Sequence, residues 1–470
     1  MRTTRAAAPL GVITASLALC AADAGAQPNF GGAVGPVIER HLANGMALIV
    51  QEDHRVPIVS LSLRYEGGEV AAPPGFEAVA QLTTDLMVNA SLHAPKGEYD
   101  RLLATAGATG RDAHAWSNGL AFSVTVPSNR LALPLWLWSD EVGYFADTLD
   151  DAAIASKKAS LRERQRVATE GASLSALDGI ADEEIYPDAH PYRRKIVTPQ
   201  SVDRVDRAAI LAFHDRWISA AHATLVLVGD VSVEKGVDLA ERYFGSLPRG
   251  SSERVPPPSP VRLEAEVQVD VAANVPVASV SIRWPTPRQL SGEDGRLEVI
   301  ARFCHGDRTS LLFWKLVDDK KVARNVYPRE RPGAWASEFD VTVEGVPGRS
   351  AAELLKAFDA SMDEILAQGG ITQSGIDGAA YEVTIDRIFA YEKSETRATE
   401  YGKFWTLAGT GDYASRDFAR YSGMTPQVAE ETIRRWLPRN RRVVLLVSPD
   451  PSAPAAGQRR GRRVTPAVKP

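Results

Sequence analysis

Two histidines three or four residues apart on one helix face are a common way for a chain to hold zinc and activate a water molecule. This sequence has eight histidines: His41, His54, His93, His114, His190, His214, His222 and His305. None lies three or four residues from another, so no helix face carries a histidine pair. A metal site would have to be gathered from distant segments, and no motif marks one. Each histidine reads as a surface or core residue. Cys20 and Cys304 are the two cysteines, and Cys304 beside His305 reads as a small buried apolar side chain rather than a nucleophile. The formal net charge is -5 and no basic field runs through the chain, which argues against nucleic acid as a partner.

The elements that would position any chemistry occur twice. At an offset of 219 residues, VPIVSLSLRY (Val56–Tyr65) lies on VPVASVSIRW (Val275–Trp284), TLVLVGDVSV (Thr224–Val233) on VVLLVSPDPS (Val443–Ser452), and Trp217 on Trp436. A register held across a whole unit marks a duplicated domain, since solenoid repeats have periods of only about 20–50 residues. The first half, 37–247, opens with strands at Ala47–Gln51 and Val56–Tyr65. A helix follows over Gly75–Val88, then a strand at Ala121–Val126. Helices are expected at Leu131–Phe145, Ala152–Val167, Ala208–Trp217 and Val233–Phe244, with a strand at Ala223–Val228 before the last. A proline-rich linker occupies 248–262, and the second half spans 263–448. It holds a helical stretch over Gly292–Leu316, a strand at Ser337–Val343 and a helix at Ala351–Gln368. The remainder, 449–470, is rich in Pro, Ala and Arg without apolar periodicity, and is expected to be a disordered, solvated basic tail.

The start of the chain reads as a secretory leader over 1–26. Arg2 and Arg5 supply the positive charge, Leu10–Ala22 a short apolar run, and Ala24-Gly25-Ala26 a small-residue cleavage site. The run is too short for a stable membrane anchor, and Leu19 before Cys20 argues against lipid attachment. The expected location is periplasmic or secreted, in a bacterium. After cleavage only Cys304 remains, so no disulfide can form within the chain.

Several segments, in order and at matching spacing, resemble the M16 (insulinase/pitrilysin-type) metallopeptidases. They are Asn44-Gly45-Met46, Tyr65-Glu66-Gly67-Gly68 with Pro73-Pro74-Gly75, Tyr186-Pro187 with His190-Pro191-Tyr192, ATLVLVGD (Ala223–Asp230), YFGSLP (Tyr243–Pro248) and SLLFWKL (Ser310–Leu316). The resemblance spans nearly the whole chain after the leader. It implies an α+β fold of two homologous M16/LuxS-like metallohydrolase domains, each a mostly antiparallel sheet packed with helices, together forming one half-shell of a clamshell. In the family an inverted H-x-x-E-H motif supplies two zinc ligands and a general base, and a Glu farther along supplies the third ligand. Here the matching helix reads AQLTTDLM. Gln81 and Asp85 stand at the two histidine positions, Thr84 at the base, and Glu163 at the residual third-ligand position. Threonine has no pKa near neutrality suited to a general base. No catalytic residue and no metal are therefore expected in this chain. Asp85 and Glu163 alone would make a poor oxygen cage.

The resemblance also implies peptide contacts. The family's edge-strand region matches Asp112 and Ala113, followed by His114, and an exposed strand there would accept an extended peptide. In the second half the family's Arg–Tyr pair falls on Val317 and Arg324, so it is not retained, although Arg324 or Tyr327 could still meet a peptide backbone. The expected function is a non-catalytic subunit of a periplasmic heterodimeric zinc peptidase, completing a chamber for unfolded peptides. Zinc would sit in a catalytic M16 partner bearing an intact H-x-x-E-H motif. The alternatives are a stand-alone peptide-binding or scaffold protein of M16 fold, and a metalloendopeptidase with an atypical site.

Overall fold

The computed structural model describes residues 35–466 apart from 89–90, 171–176, 195–196, 306–309, 368 and 455–456. The leader expected over 1–26, with Arg2, Arg5 and Cys20, lies outside the described residues. Among the described residues twelve strands form two sheets of six. The first contains β1 (Val37–His41), β2 (Ala47–Glu52), β3 (Ile58–Glu66), β4 (Thr109–Trp116), β5 (Gly119–Pro127) and β6 (Ala223–Gly229), in the order β1-β2-β6-β3-β5-β4. The second contains β7 (Ala265–Ala273), β8 (Ser279–Thr286), β9 (Ala323–Arg331), β10 (Ser337–Gly345), β11 (Val443–Pro449) and β12 (Gln458–Pro466), in the order β12-β7-β11-β8-β10-β9. Within each sheet one pair is parallel, β2 with β6 and β7 with β11, and the other neighbours run antiparallel.

The duplication holds at the level of single residues. Arg64 on β3 lies opposite Ala121 and Thr224, while Arg283 on β8 lies opposite Asp340 and Val443. Each of these positions is offset by 219 from its counterpart. The helices Arg207–Trp217 and Pro426–Trp436 share that offset end to end. Sequence chemistry accounts for the local pieces. The run ATLVLVG is buried at every residue, as a strand covered on both faces must be. Thr425 caps the Pro426–Trp436 helix by accepting from Val428 N, with proline at the first helical position. Residues 248–263 carry neither helix nor strand.

One face of each sheet packs on its own helices. In the first half Leu61, Leu63, Phe122 and Leu225 meet Val79, Leu82, Leu135, Ile210 and Leu239. In the second, Val280, Ile282, Phe339 and Val444 meet Leu297, Ile300, Leu354, Phe358 and Ile433. The opposite faces are covered by exchange. The helix Ser394–Ala408, from the second half, lays Ala398, Tyr401 and Phe404 on Ile49, Val226 and Val228 of the first sheet. The helix Asp178–Ile185, from the first half, lays Ala181 and Ile185 on Val269, Val443, Leu445 and Val447 of the second.

The C-terminal expectation is corrected here. Within 449–470, read as a disordered tail, Gln458–Pro466 forms β12 and pairs antiparallel with β7. An unpaired β7 edge would expose a row of backbone donors and acceptors. In the first sheet β1 protects the equivalent edge of β2. Ahead of β7 there is only the proline-rich segment, which cannot supply ladder donors, so the covering strand comes from the other end of the chain. The arginines read as solvated are paired. Arg459 meets Glu183 and Glu184 at 2.5 and 2.7 Å, Arg462 meets Glu184 at 2.9 Å, and Arg463 meets Asp270 at 2.9 Å.

Candidate functional site

The helix Val79–Met87 packs its apolar residues into the first core and presents Gln81, Thr84 and Asp85 near the helix Asp151–Glu170. Each polar side chain is already engaged. Thr84 Oγ1 donates to Ala80 O at 2.9 Å, a local bond that turns the hydroxyl back onto its own helix. Gln81 Nε2 donates to Asp85 Oδ1 at 3.0 Å. The guanidinium of Arg164 donates to the other oxygen, Asp85 Oδ2. A fixed cation therefore balances Asp85.

Glu163 does not face this cluster. It is exposed and pairs with Arg166 one turn along its own helix at 2.6 Å, which holds its carboxyl below the usual carboxylate range. Glu163, expected at the residual third-ligand position, is thus engaged elsewhere, and its neighbour Arg164 is the side chain that reaches Asp85. On a helix, adjacent residues point about 100° apart, so a shift of one exchanges a ligand for a repelling charge. The donor set does not fit zinc. It offers one carboxylate already held by a guanidinium, an amide and a hydroxyl, with no imidazole. Among the described residues no group of three or more His, Cys, Asp or Glu side chains is arranged to hold a metal.

The histidines are dispersed. His54 pairs with Asp230 at 2.7 Å, His93 with Asp140 at 2.6 Å, and His114 with Asp112 at 2.5 Å. His214 stacks on Phe145 and His222 lies against Trp217. Burial pushes both of these imidazoles below their ordinary value, which favours the neutral form. Cys304 is buried, and burial pushes its thiol up to about 12, so it is an inert core residue.

The expected peptide contacts fall on two edge strands. Among the described residues β4 pairs only with β5, leaving one side of its backbone unpaired, and Asp112 and His114 are exposed on it. Ala113 packs the other way, onto the core. β9 is the matching edge of the second sheet. There the register shifts between Glu344 and Gly345, so Arg324 is the extra residue of a bulge. The bulge turns Arg324 to the side of Asn325, and both donate to Glu344 Oε2, at 3.1 and 3.0 Å. Tyr327, two residues after Asn325, stands exposed on that same side. The spacing from Arg324 to Tyr327 would place them on opposite faces of a regular strand, and the bulge alone brings them together.

One cluster escaped the sequence reading. Arg283, almost fully buried on β8, donates to Asp178 on the exchanged helix and lies 3.6 Å from Glu338 and 3.8 Å from Asp340. Arg331 reaches Asp178 at 2.8 Å and Asp340 at 3.0 Å. Tyr186 donates to Glu338 at 2.7 Å. The His190-Pro191-Tyr192 loop joins the same junction, with Tyr192 stacked on Trp335 and its hydroxyl bonded to Asn118. A cleft of about 460 Å³ opens beside it, with Trp217, Trp335, Arg254, Arg288, Glu66 and Leu407 in its wall.

Comparison with known proteins agrees with this geometry. The profile of the Peptidase M16 inactive domain matches residues 204–380. The zinc protease PqqE of Helicobacter pylori is 22% identical over 380 residues, covering 79% of this chain and 84% of that protein. A solved protease from Helicobacter pylori superposes with a TM-score of 0.79 at 18% identity, over 88% of this chain and 100% of that one. The first half of the periplasmic protease PqqL from Escherichia coli superposes with a TM-score of 0.70 at 14% identity, over 89% of this chain and 92% of that one. Residues 204–380 thus match an M16 domain, and the chain shares the α+β fold of these solved structures, two helix-packed, mostly antiparallel sheets. The matched profile does not reach the helix that carries Gln81, Thr84 and Asp85.

Proposed function

We propose that this protein is a non-catalytic subunit of an M16-type peptidase, forming one wall of a peptide-holding chamber whose zinc, base and nucleophilic water belong to a partner chain with an intact H-x-x-E-H motif. The observation that carries this reading is the Arg164 guanidinium on Asp85, a residue the resemblance puts at a zinc-ligand position. A cation fixed by the fold repels a divalent ion and supplies neither a Lewis acid nor a base. The unpaired backbone of β4 supports a role in holding extended peptides, because strand addition needs a free sheet edge. The Escherichia coli relative supports a second half-shell, since this chain matches its first half and covers 48% of its full length. The partner would supply the counterpart of the remaining length. Closing such a chamber excludes folded substrates and fixes the peptide near the partner's metal. A periplasmic location is proposed from the leader-like start of the sequence. No helix among the described residues is long and apolar enough to cross a membrane.

The test is to purify the chain, measure bound zinc and peptide cleavage, and repeat both after mixing with a motif-bearing family member encoded beside it. The expected result is no zinc and no cleavage alone, with cleavage by the mixture exceeding that of the partner by itself. Stoichiometric zinc and cleavage by the isolated chain would sink the proposal.

A further inference from the structure

The 219-residue offset that relates the halves pairs Arg64 with Arg283, and the two arginines have opposite fates. Arg283 is surrounded by Asp178, Glu338 and Asp340. Arg64 is 7% exposed and forms no ion pair or hydrogen bond among the described residues. The residue across the ladder from it is Ala121, where Arg283 has Asp340. On the exchanged helices, Asp178 of the first half is offset by 219 from Arg397 of the second, and Arg397 is committed to Asp53. A desolvated guanidinium without a carboxylate is costly, and folds seldom keep one without a use.

Of the three Arg64 nitrogens only Nε is both inaccessible and without a partner, so the terminal nitrogens keep some contact with solvent. Its stem lies under Gly402, where an added Cβ would meet Arg64 Cδ at 2.4 Å, and its head lies over the Trp116 ring at 4.5 Å. Beyond Ala121 the same sheet face carries Ser123 and then Asp112, His114 and Trp116 on the edge strand. Glu66, two residues along from Arg64, lines the cleft at the junction of the halves. Glu66 is paired with Arg254, and Glu400 on the covering helix is paired with Lys403; neither makes an ion pair with Arg64. Burial pulls the Arg64 guanidinium down to about 10, so it stays charged at neutral pH.

We propose that Arg64, with Trp116 over which it lies, forms a carboxylate-binding site on the polar face of the first sheet, and that its ligand is a carboxylate of a peptide lying across β5 and β4. This rests on the peptide-holding reading above. A free C-terminus and an acidic side chain present the same chemistry to the guanidinium.

The test uses fluorescence anisotropy on the full chain with three labelled unstructured peptides of one uncharged sequence: a free C-terminal acid, its C-terminal amide, and the amide with one internal Glu. Charge-assisted hydrogen bonds are worth roughly 1.5–3 kcal/mol, so a carboxylate peptide should bind about tenfold or more tighter than the neutral amide. Which of the two carboxylate peptides gains identifies the source. Arg64→Gln should erase the difference while melting no lower than wild type, because it removes a desolvated charge. Glu400→Gln should strengthen carboxylate binding by removing a like charge. Equal binding of all three peptides by wild type would overturn the site and leave the peptide-holding reading intact, and this comparison needs no variant. Discrimination that persists in folded Arg64→Gln would also overturn it. Failure to bind any peptide would overturn both readings.

Discussion

On the Val79–Met87 helix one carboxylate is balanced by one guanidinium, at the positions that the resemblance to M16 peptidases gives to a zinc motif. That exchange is local enough to be reversed. Gln81→His, Thr84→Glu and Asp85→His restore the motif on one helix face, but Arg164 would still hold a positive charge against the ion. The triple variant is expected to retain far less zinc than the fourfold variant that adds Arg164→Glu, and wild type none. Metal content after dialysis checks this. If the triple variant alone reached full occupancy, Arg164 would not be the residue that blocks the site. Losing a supporting partner of a metal ligand already costs about 10–100-fold in affinity, and a fixed like charge in the ligand shell should cost at least as much.

Among the elements, β12 has the clearest mechanical role. It covers β7 along its length and its arginines tie it to the Asp178–Ile185 helix and to Asp270. Ending the chain after Ser452 would bare the β7 edge and release the acidic side chains Glu183 and Glu184. The truncated protein should melt earlier and self-associate, which light scattering during a thermal ramp would register. A monomeric truncated form with an unchanged melting point would refute this role. The turn after β3 shows how tightly another element is positioned. Gly68 has φ 62°, and an added Cβ would lie 2.2 Å from Gly119 N and from Trp116 O, so only glycine lets the β4–β5 hairpin close onto that turn.

In the whole molecule, two exchanged helices lock the halves, and each lock contains a buried or half-buried ion pair, Asp53 with Arg397 and Asp178 with Arg283. The Asp53 carboxyl is held below the usual range by Arg55 and, against its burial, by Arg397. Burial would raise Asp178, but Arg283 and Arg331 pull it below the usual range as well. Folding therefore releases protons from these groups at low pH. Their stabilisation is present above the ordinary carboxyl value of 3.8 and is lost as pH falls through the lower folded values. Asp178→Ala leaves Arg283 with only its more distant acids. At neutral pH it should cost about 3 kcal/mol in denaturant melts, the scale for breaking a buried pair. The gap to wild type should close as pH falls below 3.8. A cost below about 0.5 kcal/mol at neutral pH, the scale of ordinary surface substitutions, would show that the pair contributes nothing to holding the halves together.

The duplication, the strand and helix pattern and the absence of a histidine pair were legible in the sequence, because each is set by residues close together or by a constant offset. The β-branched runs around Ala223–Gly229 and Val443–Pro449 could only be buried strands. What the sequence alone could not decide depended on direction and on distant pairing. Glu163 and Arg164 are neighbours in the chain, yet only helix packing determines which of them faces Asp85. The basic end of the chain lacks apolar alternation because its strand answers the need of an open sheet edge 193 residues away for Arg463 and Asp270, not a core of its own. Arg64 and Arg283 look alike in sequence, and only the tertiary fold gives one its acids and leaves the other without them.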